Sequence, residues 1–256
     1  MLRFSNNVYL CMRKNGSMKT QLDVHTHTVA SGHAYSTIQE MATAAAHMGL
    51  KILGITEHGP SIPGTCQPIY FRNMHCVPRE MYGVKLMMGA ELNILNTQGE
   101  IDLDESDLRT LDLRIAGIHS LCWQGGTKEE NTAGVIQAMR NPYVQIISHP
   151  GDGTALLDFE QLVLASKETH TLLEINNHSL APARHKTVAR PNNLELLQLA
   201  KKHQVPVILG SDAHISMMIA KYDKIMPLVE EAEMPDELIM NYSTKRFLDY
   251  LKPMPQ

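Results

Sequence analysis

An α/β fold of parallel strands is the architecture that this 256-residue sequence predicts. Apolar runs of strand length recur seven times, at 21–25, 51–56, 85–90, 113–118, 144–147, 171–175 and 206–209. Runs this short and this continuously apolar suit strands buried on both faces, and the helical patterns between most of them supply the crossovers that parallel neighbours need. Six of the seven runs also lead, at their carboxyl ends, into His, Glu or Asp.

Taken in order, residues 1–17 are polar and basic (Arg3, Arg13, Lys14) and lack the apolar stretch of a signal peptide, so they read as a loosely held extension before a single domain at 18–256. Met18 directly precedes the first strand and is an alternative start of translation. If that strand runs over 22–28, its period of two places Asp23, His25 and His27 on one face, where two imidazoles can converge on a metal ion. Ser36 and Gln39 then frame a capping box for a helix that Gly49 closes. The second run leads into Glu57 and His58. Residues 59–83, with Pro60, Pro63, Pro68 and Pro78, form a long irregular connection of the kind that carries or covers a site.

The third run ends at Glu91, the fourth at His119 and the fifth at His149. Thr127 and Glu130 open a helix, and Asp158 caps another that reaches about His170. After the sixth run come Asn176 and Asn177, whose plain role is turn chemistry and whose sharper role is to orient a ligand or substrate. Asn192 or Asn193 would cap the helix to about Gln204, and the seventh run leads to Asp212 and His214. Pro235 suits a first helical turn, and Ser243 can cap a last helix over 244–251.

Composition narrows the function. Apolar residues at 43% and charged residues at 20% describe an ordinary globular protein, and a net charge of −4 does not suit a nucleic-acid groove or an anionic membrane as main partner. No apolar run is long enough for a membrane span. The four cysteines form no Cys-x-x-Cys pair, which argues for reduced thiols in a cytoplasmic protein rather than a thiolate zinc knuckle. The sixteen methionines recur inside apolar runs such as 85–88 and read as core filler.

In a closed parallel barrel the carboxyl ends of the strands form one rim, where barrel enzymes place their chemistry. Seven of the thirteen histidines (25, 27, 33, 58, 119, 149 and 214) fall at or just after these ends, joined by Glu91 and Asp212. His47, His75, His170, His178, His185 and His203 fall mainly on helices or loops.

The chain resembles the polymerase-and-histidinol-phosphatase (PHP) superfamily over about residues 19–252, and within it the small stand-alone phosphatases. The stretches that carry the resemblance are 23–33 (DVHTHTVASGH), 54–59 (GITEHG), 89–91 (GAE), 116–119 (AGIH), 147–151 (ISHPG), 174–177 (EINN) and 210–214 (GSDAH). It implies a distorted (β/α)7 TIM-like barrel with three divalent ions at its carboxyl rim, and a trimeric assembly. One ion would be held by His25, His27, Glu91 and Asp212, a second by Glu91, His119 and His149, and a third by His33, His58 and His214. Glu91, Asp212 and His214 would stand at the reacting centre. The family usually has Asp where this chain has Glu57, a change that would re-aim His58.

Nitrogen-rich ligation with some carboxylate and no thiolate suits Zn²⁺, and Mn²⁺ or Fe²⁺ also fit. Paired ions activate water and clamp phosphate oxygens, which predicts direct hydrolysis of a small phosphate monoester without a covalent phosphoenzyme. Arg79 and Arg184, or Lys186, are the candidates to reach the substrate phosphate. Two other functions compete. A phosphodiesterase or exonuclease would cleave oligonucleotides, and a metal-binding regulatory module would bind metal without turnover.

Overall fold

The computed structural model describes residues 19–123, 125–182 and 187–253; the 1–17 extension, Met18, Arg184 and Lys186 lie outside the described residues. Each of the seven apolar runs forms a strand: β1 (Leu22–Asp23), β2 (Ile52–His58), β4 (Val84–Asn93), β5 (Leu113–Gly117), β6 (Ile146–Ile147), β7 (Leu172–Asn176) and β8 (Val207–Gly210). They pair in parallel in that order. A short strand absent from the sequence reading, β3 (Glu80–Met81), pairs antiparallel with the start of β4 and ends the proline-rich connection.

The helices are α1 (Ile38–Met48), α2 (Pro68–Asn73), α3 (Glu105–Leu108), α4 (Lys128–Arg140), α5 (Phe159–Thr169), α6 (Ala189–His203), α7 (Met226–Glu231) and α8 (Thr244–Tyr250). Thr127, Asp158 and Ser243 cap α4, α5 and α8 as expected. The first cap shifts by one residue: Thr37 and Glu40 close the box on α1, while the Ser36 hydroxyl accepts the backbone N–H of Ser216 (3.0 Å). Neither Asn192 nor Asn193 caps α6, which begins at Ala189. Asn193 is buried inside it and donates to Ala189 O (2.7 Å) and Gly151 O (3.3 Å), tying the helix to the loop after His149. Pro235 introduces only a 3-10 turn, Asp236–Leu238.

Period-two alternation sorts the strand residues into two apolar layers. Leu22, Ile52, Met87, Leu113, Ile146, Leu172 and Ile208 pack together inside the barrel, closed below by Phe247 of α8. Leu53, Leu86, Ala116, Ile147, Leu173 and Leu209 pack outward against the helices. Even steps along the strands from the inner layer carry Ile52 to His58, Met87 to Glu91 and Leu172 to Glu174. The polar rim is thus the upper course of the same inward-facing stack.

The barrel is nearly closed, and its seam lies between β8 and β1. At the upper end Thr26 bridges Ala213, with His27 N–H donating to Ala213 O (2.9 Å). Lower down, the fully buried Asn241 side chain takes the place of a strand: it accepts Leu209 N–H (2.7 Å) and donates to Leu209 O (2.8 Å) and Leu22 O (3.1 Å). Replacing it strands three buried backbone groups, each costing roughly 1–3 kcal/mol when unpaired. Asn241→Leu should therefore lower unfolding free energy by at least about 2 kcal/mol in urea titrations; an unchanged midpoint would show that the seam closes without it.

Candidate metal centre

Glu91 stands at the middle of the rim. Its Oε2 lies 3.3 Å from His25 Nε2, 3.4 Å from His27 Nε2 and 2.9 Å from His58 Nδ1, and its Oε1 lies 2.8 Å from His149 Nε2 and 3.3 Å from His119 Nε2. Asp212 Oδ1 closes the group from β8, 3.6 Å from His25 Nε2, 3.3 Å from His27 Nε2 and 3.3 Å from His214 Nδ1. The His33 ring stands 4.9 Å from each of the His58 and His214 rings, centre to centre. The structure therefore gathers all nine sequence-predicted metal residues at one rim. In the outer part the tightest trio of ligand atoms joins His58 and His214 to His27 rather than to His33.

The donor set fits a divalent cation. Ligands about 2.0–2.1 Å from a tetrahedral ion sit roughly 3.3–3.4 Å from one another. His25 Nε2, His27 Nε2 and Glu91 Oε2 show that spacing, at 3.1, 3.3 and 3.4 Å from one another, and Asp212 Oδ1 lies 3.6 and 3.3 Å from the same two imidazole nitrogens. Buried polar atoms normally find hydrogen-bond partners. Here His58 Nδ1, Glu91 Oε2 and both ring nitrogens of His119 are buried without one, although His58 Nδ1 and Glu91 Oε2 are close enough for a bond and lack only its geometry. One ligand atom each of His58, Glu91 and His119 lies within 4.8 Å of the other two, a grouping of donors that could hold a cation.

Local backbone geometry aims the ligands. His149 and Asp212 adopt positive φ (33° and 53°), a region that costs a non-glycine residue energy and that turns both side chains out of simple strand alternation. Glu174 then locks two strands together: its Oε1 meets His25 Nδ1 at 2.7 Å and its Oε2 accepts His149 N–H at 2.8 Å. Gly210 makes room for it, since a Cβ there would lie 1.7 Å from Glu174 Oε1. Asn176 supports the arrangement, donating to Glu174 Oε2 (3.0 Å) and Asp212 Oδ2 (3.4 Å), while its Oδ1 accepts the Ser179 N–H (2.8 Å), so it takes both the orienting role and the turn role. The Asn177 side chain instead makes a long-range tie, accepting Lys224 N–H at 2.9 Å and Ile225 N–H at 3.3 Å.

Sequence reasoning missed Glu174, although its even step from Leu172 marked it as inward. It had instead placed Asp23 beside the imidazoles. β1 ends at Asp23, whose carboxylate is taken by the backbone N–H groups of Ala220 (2.8 Å) and Ser211 (3.3 Å). Arg79 also departs from expectation. It donates to Met74 O and Val77 O (2.8 Å each) and pairs with Asp112 at 2.6 Å, beside the amino ends of β4 and β5 and so at the far end of the barrel from the rim. Glu57 makes no direct contact with the His58 ring: its oxygens meet Thr28, Ser31 and Tyr70, and Ser31 in turn accepts the His58 backbone N–H. His178, read only as a loop residue, stacks on His214 with ring centres 5.4 Å apart.

The cluster opens into a cavity of about 250 Å³. His33, His58, His119, His149, Asp212 and His214 form its floor; Ile62, Ile118 and Leu121 give it an apolar wall, and Ser120, Asp152, Thr154 and Ser179 a polar one. Burial opposes charge on every group here, yet the carboxyls of Glu91 and Asp212 are held well below the usual carboxylate range because imidazoles surround them. Burial likewise disfavours protonated His25 and His149, but the carboxylates outweigh it and raise both, His149 to about 9. Burial, reinforced by the nearby His58, carries His27 well below its ordinary value.

Residues 23–255 match the model of the PHP domain. A probable phosphatase of Clostridium novyi (strain NT) is 47% identical over 92% of this chain and 96% of its own length, and one of Clostridium acetobutylicum is 43% identical with the same coverage. Histidinol phosphate phosphatase from Lactococcus lactis subsp. lactis Il1403, solved with zinc, L-histidinol and phosphate, superposes with a TM-score of 0.56 at 20% identity, covering 86% of this chain and 95% of that one. A chain of archaeal ribonuclease P with mature tRNA superposes with a TM-score of 0.51 at 17% identity, over 90% of both chains. At such identities the two structures speak to the fold alone. Barrel, rim and relatives together define a metal-dependent phosphatase. The chain belongs to the PHP domain family.

In metal-free protein, His25 and His149 hold protons more tightly folded than unfolded. The stability they contribute is fully present below pH 6.5 and is lost as pH rises through the folded value, about 9 for His149. Chelator-treated protein should therefore melt at progressively lower temperature from pH 6.5 to 9, with a shallower fall in His149→Gln. Equal slopes in the two proteins would contradict the raised His149 value. Metal-loaded protein should show the reverse trend, because its ligands must be deprotonated.

Proposed function

We propose that this chain is a phosphoric monoester hydrolase acting on a small molecule through three divalent ions, zinc foremost. His25, His27, Glu91 and Asp212 would hold one ion. Glu91 Oε1 with His119 and His149 would hold the second, and His33, His58 and His214 the third. The observation that carries the reading is the 3.1–3.4 Å spacing of His25 Nε2, His27 Nε2 and Glu91 Oε2, the spacing of ligands on one ion, with Asp212 Oδ1 3.3–3.6 Å from the two imidazole nitrogens. For the second site the support is the approach of His149 (2.8 Å) and His119 (3.3 Å) to the other oxygen of Glu91; for the third it is the gathering of the His33, His58 and His214 rings. Bound divalent ions would supply Lewis acidity, a water of lowered pKa, and neutralisation of phosphate charge.

The protein's own contribution is placement. Glu91 joins two groups of imidazoles through its two oxygens and so fixes their separation. Glu174 and Asn176 prevent His25 and Asp212 from relaxing away from the cluster. Above them, the Ser120 hydroxyl can donate to a phosphate oxygen, whereas those of Thr154 and Ser179 are given to Asp152 and Asn176, and Ile62, Ile118 and Leu121 keep bulk water off one side. A cavity of about 250 Å³ accommodates a small phosphate ester, which favours monoesters of metabolites over polymeric diesters.

Release of inorganic phosphate from a panel of phosphorylated metabolites tests the proposal. Activity should vanish with chelator and return with Zn²⁺ or Mn²⁺, oligonucleotides should yield no product, and Glu91→Gln should lose at least ~10²-fold in kcat, as when a group stabilising transition-state charge is removed. Chelator-resistant turnover, or a trapped phosphoenzyme, would contradict it.

A further inference from the structure

We infer that Ser31 and Glu57 fix the tautomer of His27 so that its Nε2 offers a lone pair to the cluster. The inference rests on reading that cluster as a metal site. Its observations are four side chains, Thr28, Ser31, Glu57 and His27, each no more than 2% exposed.

Glu57 shares β2 with His58, yet both its oxygens turn to the loop that follows β1. Oε2 accepts the backbone N–H of Thr28 (3.1 Å) and the hydroxyl of Ser31 (2.6 Å); Oε1 accepts the Thr28 hydroxyl and faces Tyr70 Oη at 3.5 Å. Ser31 Oγ has two further neighbours, the backbone N–H of His58 at 3.1 Å and His27 Nδ1 at 3.3 Å.

A hydroxyl has one proton to give and two lone pairs to fill. A carboxylate only accepts, so the Ser31 proton points at Glu57. The His58 backbone N–H only donates, so it fills one lone pair of Oγ. What remains toward His27 is the other lone pair, and His27 Nδ1 must carry the proton that meets it. In a neutral ring Nε2 is then bare, facing His25 Nε2 at 3.1 Å and Asp212 Oδ1 at 3.3 Å. Glu174 does the same for His25 by direct contact with Nδ1 (2.7 Å). The two imidazoles that face each other at the centre are thus presented as ligands by two separate carboxylates, one acting directly and one through a serine. Ser31 and Glu57 are positioning residues: Ser31 meets His27 only at Nδ1, on the side of the ring away from the cluster centre, and Glu57 acts through Ser31.

Two readouts on the full chain test this, nitrogen NMR shifts of His27 in metal-free protein and Zn²⁺ affinity by competition with a chromophoric chelator. Wild type should show the Nδ1–H tautomer. Ser31→Ala, and Glu57→Met, which removes both acceptor oxygens at similar length, should shift His27 toward Nε2–H and weaken Zn²⁺ binding about 10–100-fold. Glu57→Gln should lose less than Glu57→Met, because the Thr28 N–H holds the amide oxygen toward Ser31. An Nε2–H tautomer in wild type, or unchanged affinity in both Ser31→Ala and Glu57→Met, would overturn the inference. Failure of wild type to bind Zn²⁺ at all would instead overturn the metal-site reading, while the tautomer remains measurable without metal. Should Ser31→Ala not fold, wild type and Glu57→Met decide the matter.

Discussion

The contact on which the site depends is the one between the Glu91 carboxylate and the five imidazoles around it. An ionised carboxylate with no access to water is costly, and the cost is met here by neighbours that are themselves expensive to bury charged. Removing either partner leaves the other without compensation. This mutual dependence explains why Glu91 and Asp212 stay ionised in full burial, why His25 and His149 bind protons tightly, and why His27 beside them does not. A divalent cation resolves the same conflict more completely, since it matches carboxylate charge while leaving imidazoles neutral.

Fold and site are one construction. The inward-facing residues of the strands make an apolar plug below and a polar course above, so the barrel that buries Met87 and Leu172 also aims Glu91 and Glu174. The closing seam matters for the same reason. β1 and β8 carry His25, His27, Asp212 and His214 at their upper ends, and they meet through the Thr26–Ala213 bridge and the Asn241 side chain. A loosened seam would separate ligands of one proposed ion.

Much of this was legible in the sequence, because buried parallel strands announce themselves as short apolar runs and ligands recur at fixed places after them. All seven strands and the convergence of the nine candidate residues follow from that pattern. What was not legible depends on contacts across large sequence separations. Glu174 serves His25 from 149 positions away, and Asn241 mends a seam 219 positions from Leu22. Asp23 was misplaced because strand periodicity was carried past the point where β1 ends. Arg79 was misplaced because a loop arginine announces its charge but not which end of a barrel it reaches, and three backbone and side-chain partners hold it away from the rim. Ser36 yielded its cap to Thr37 since its hydroxyl is engaged by Ser216.

The central claim is that Glu91 organises ions and not merely imidazoles. Crystals grown with Zn²⁺ and measured across the zinc absorption edge test it most directly. An anomalous peak is expected within ligand distance of His25 Nε2, His27 Nε2, Glu91 Oε2 and Asp212 Oδ1, with further peaks at the other oxygen of Glu91 and among His33, His58 and His214. No anomalous density at the rim, in protein whose side chains keep these positions, would contradict it.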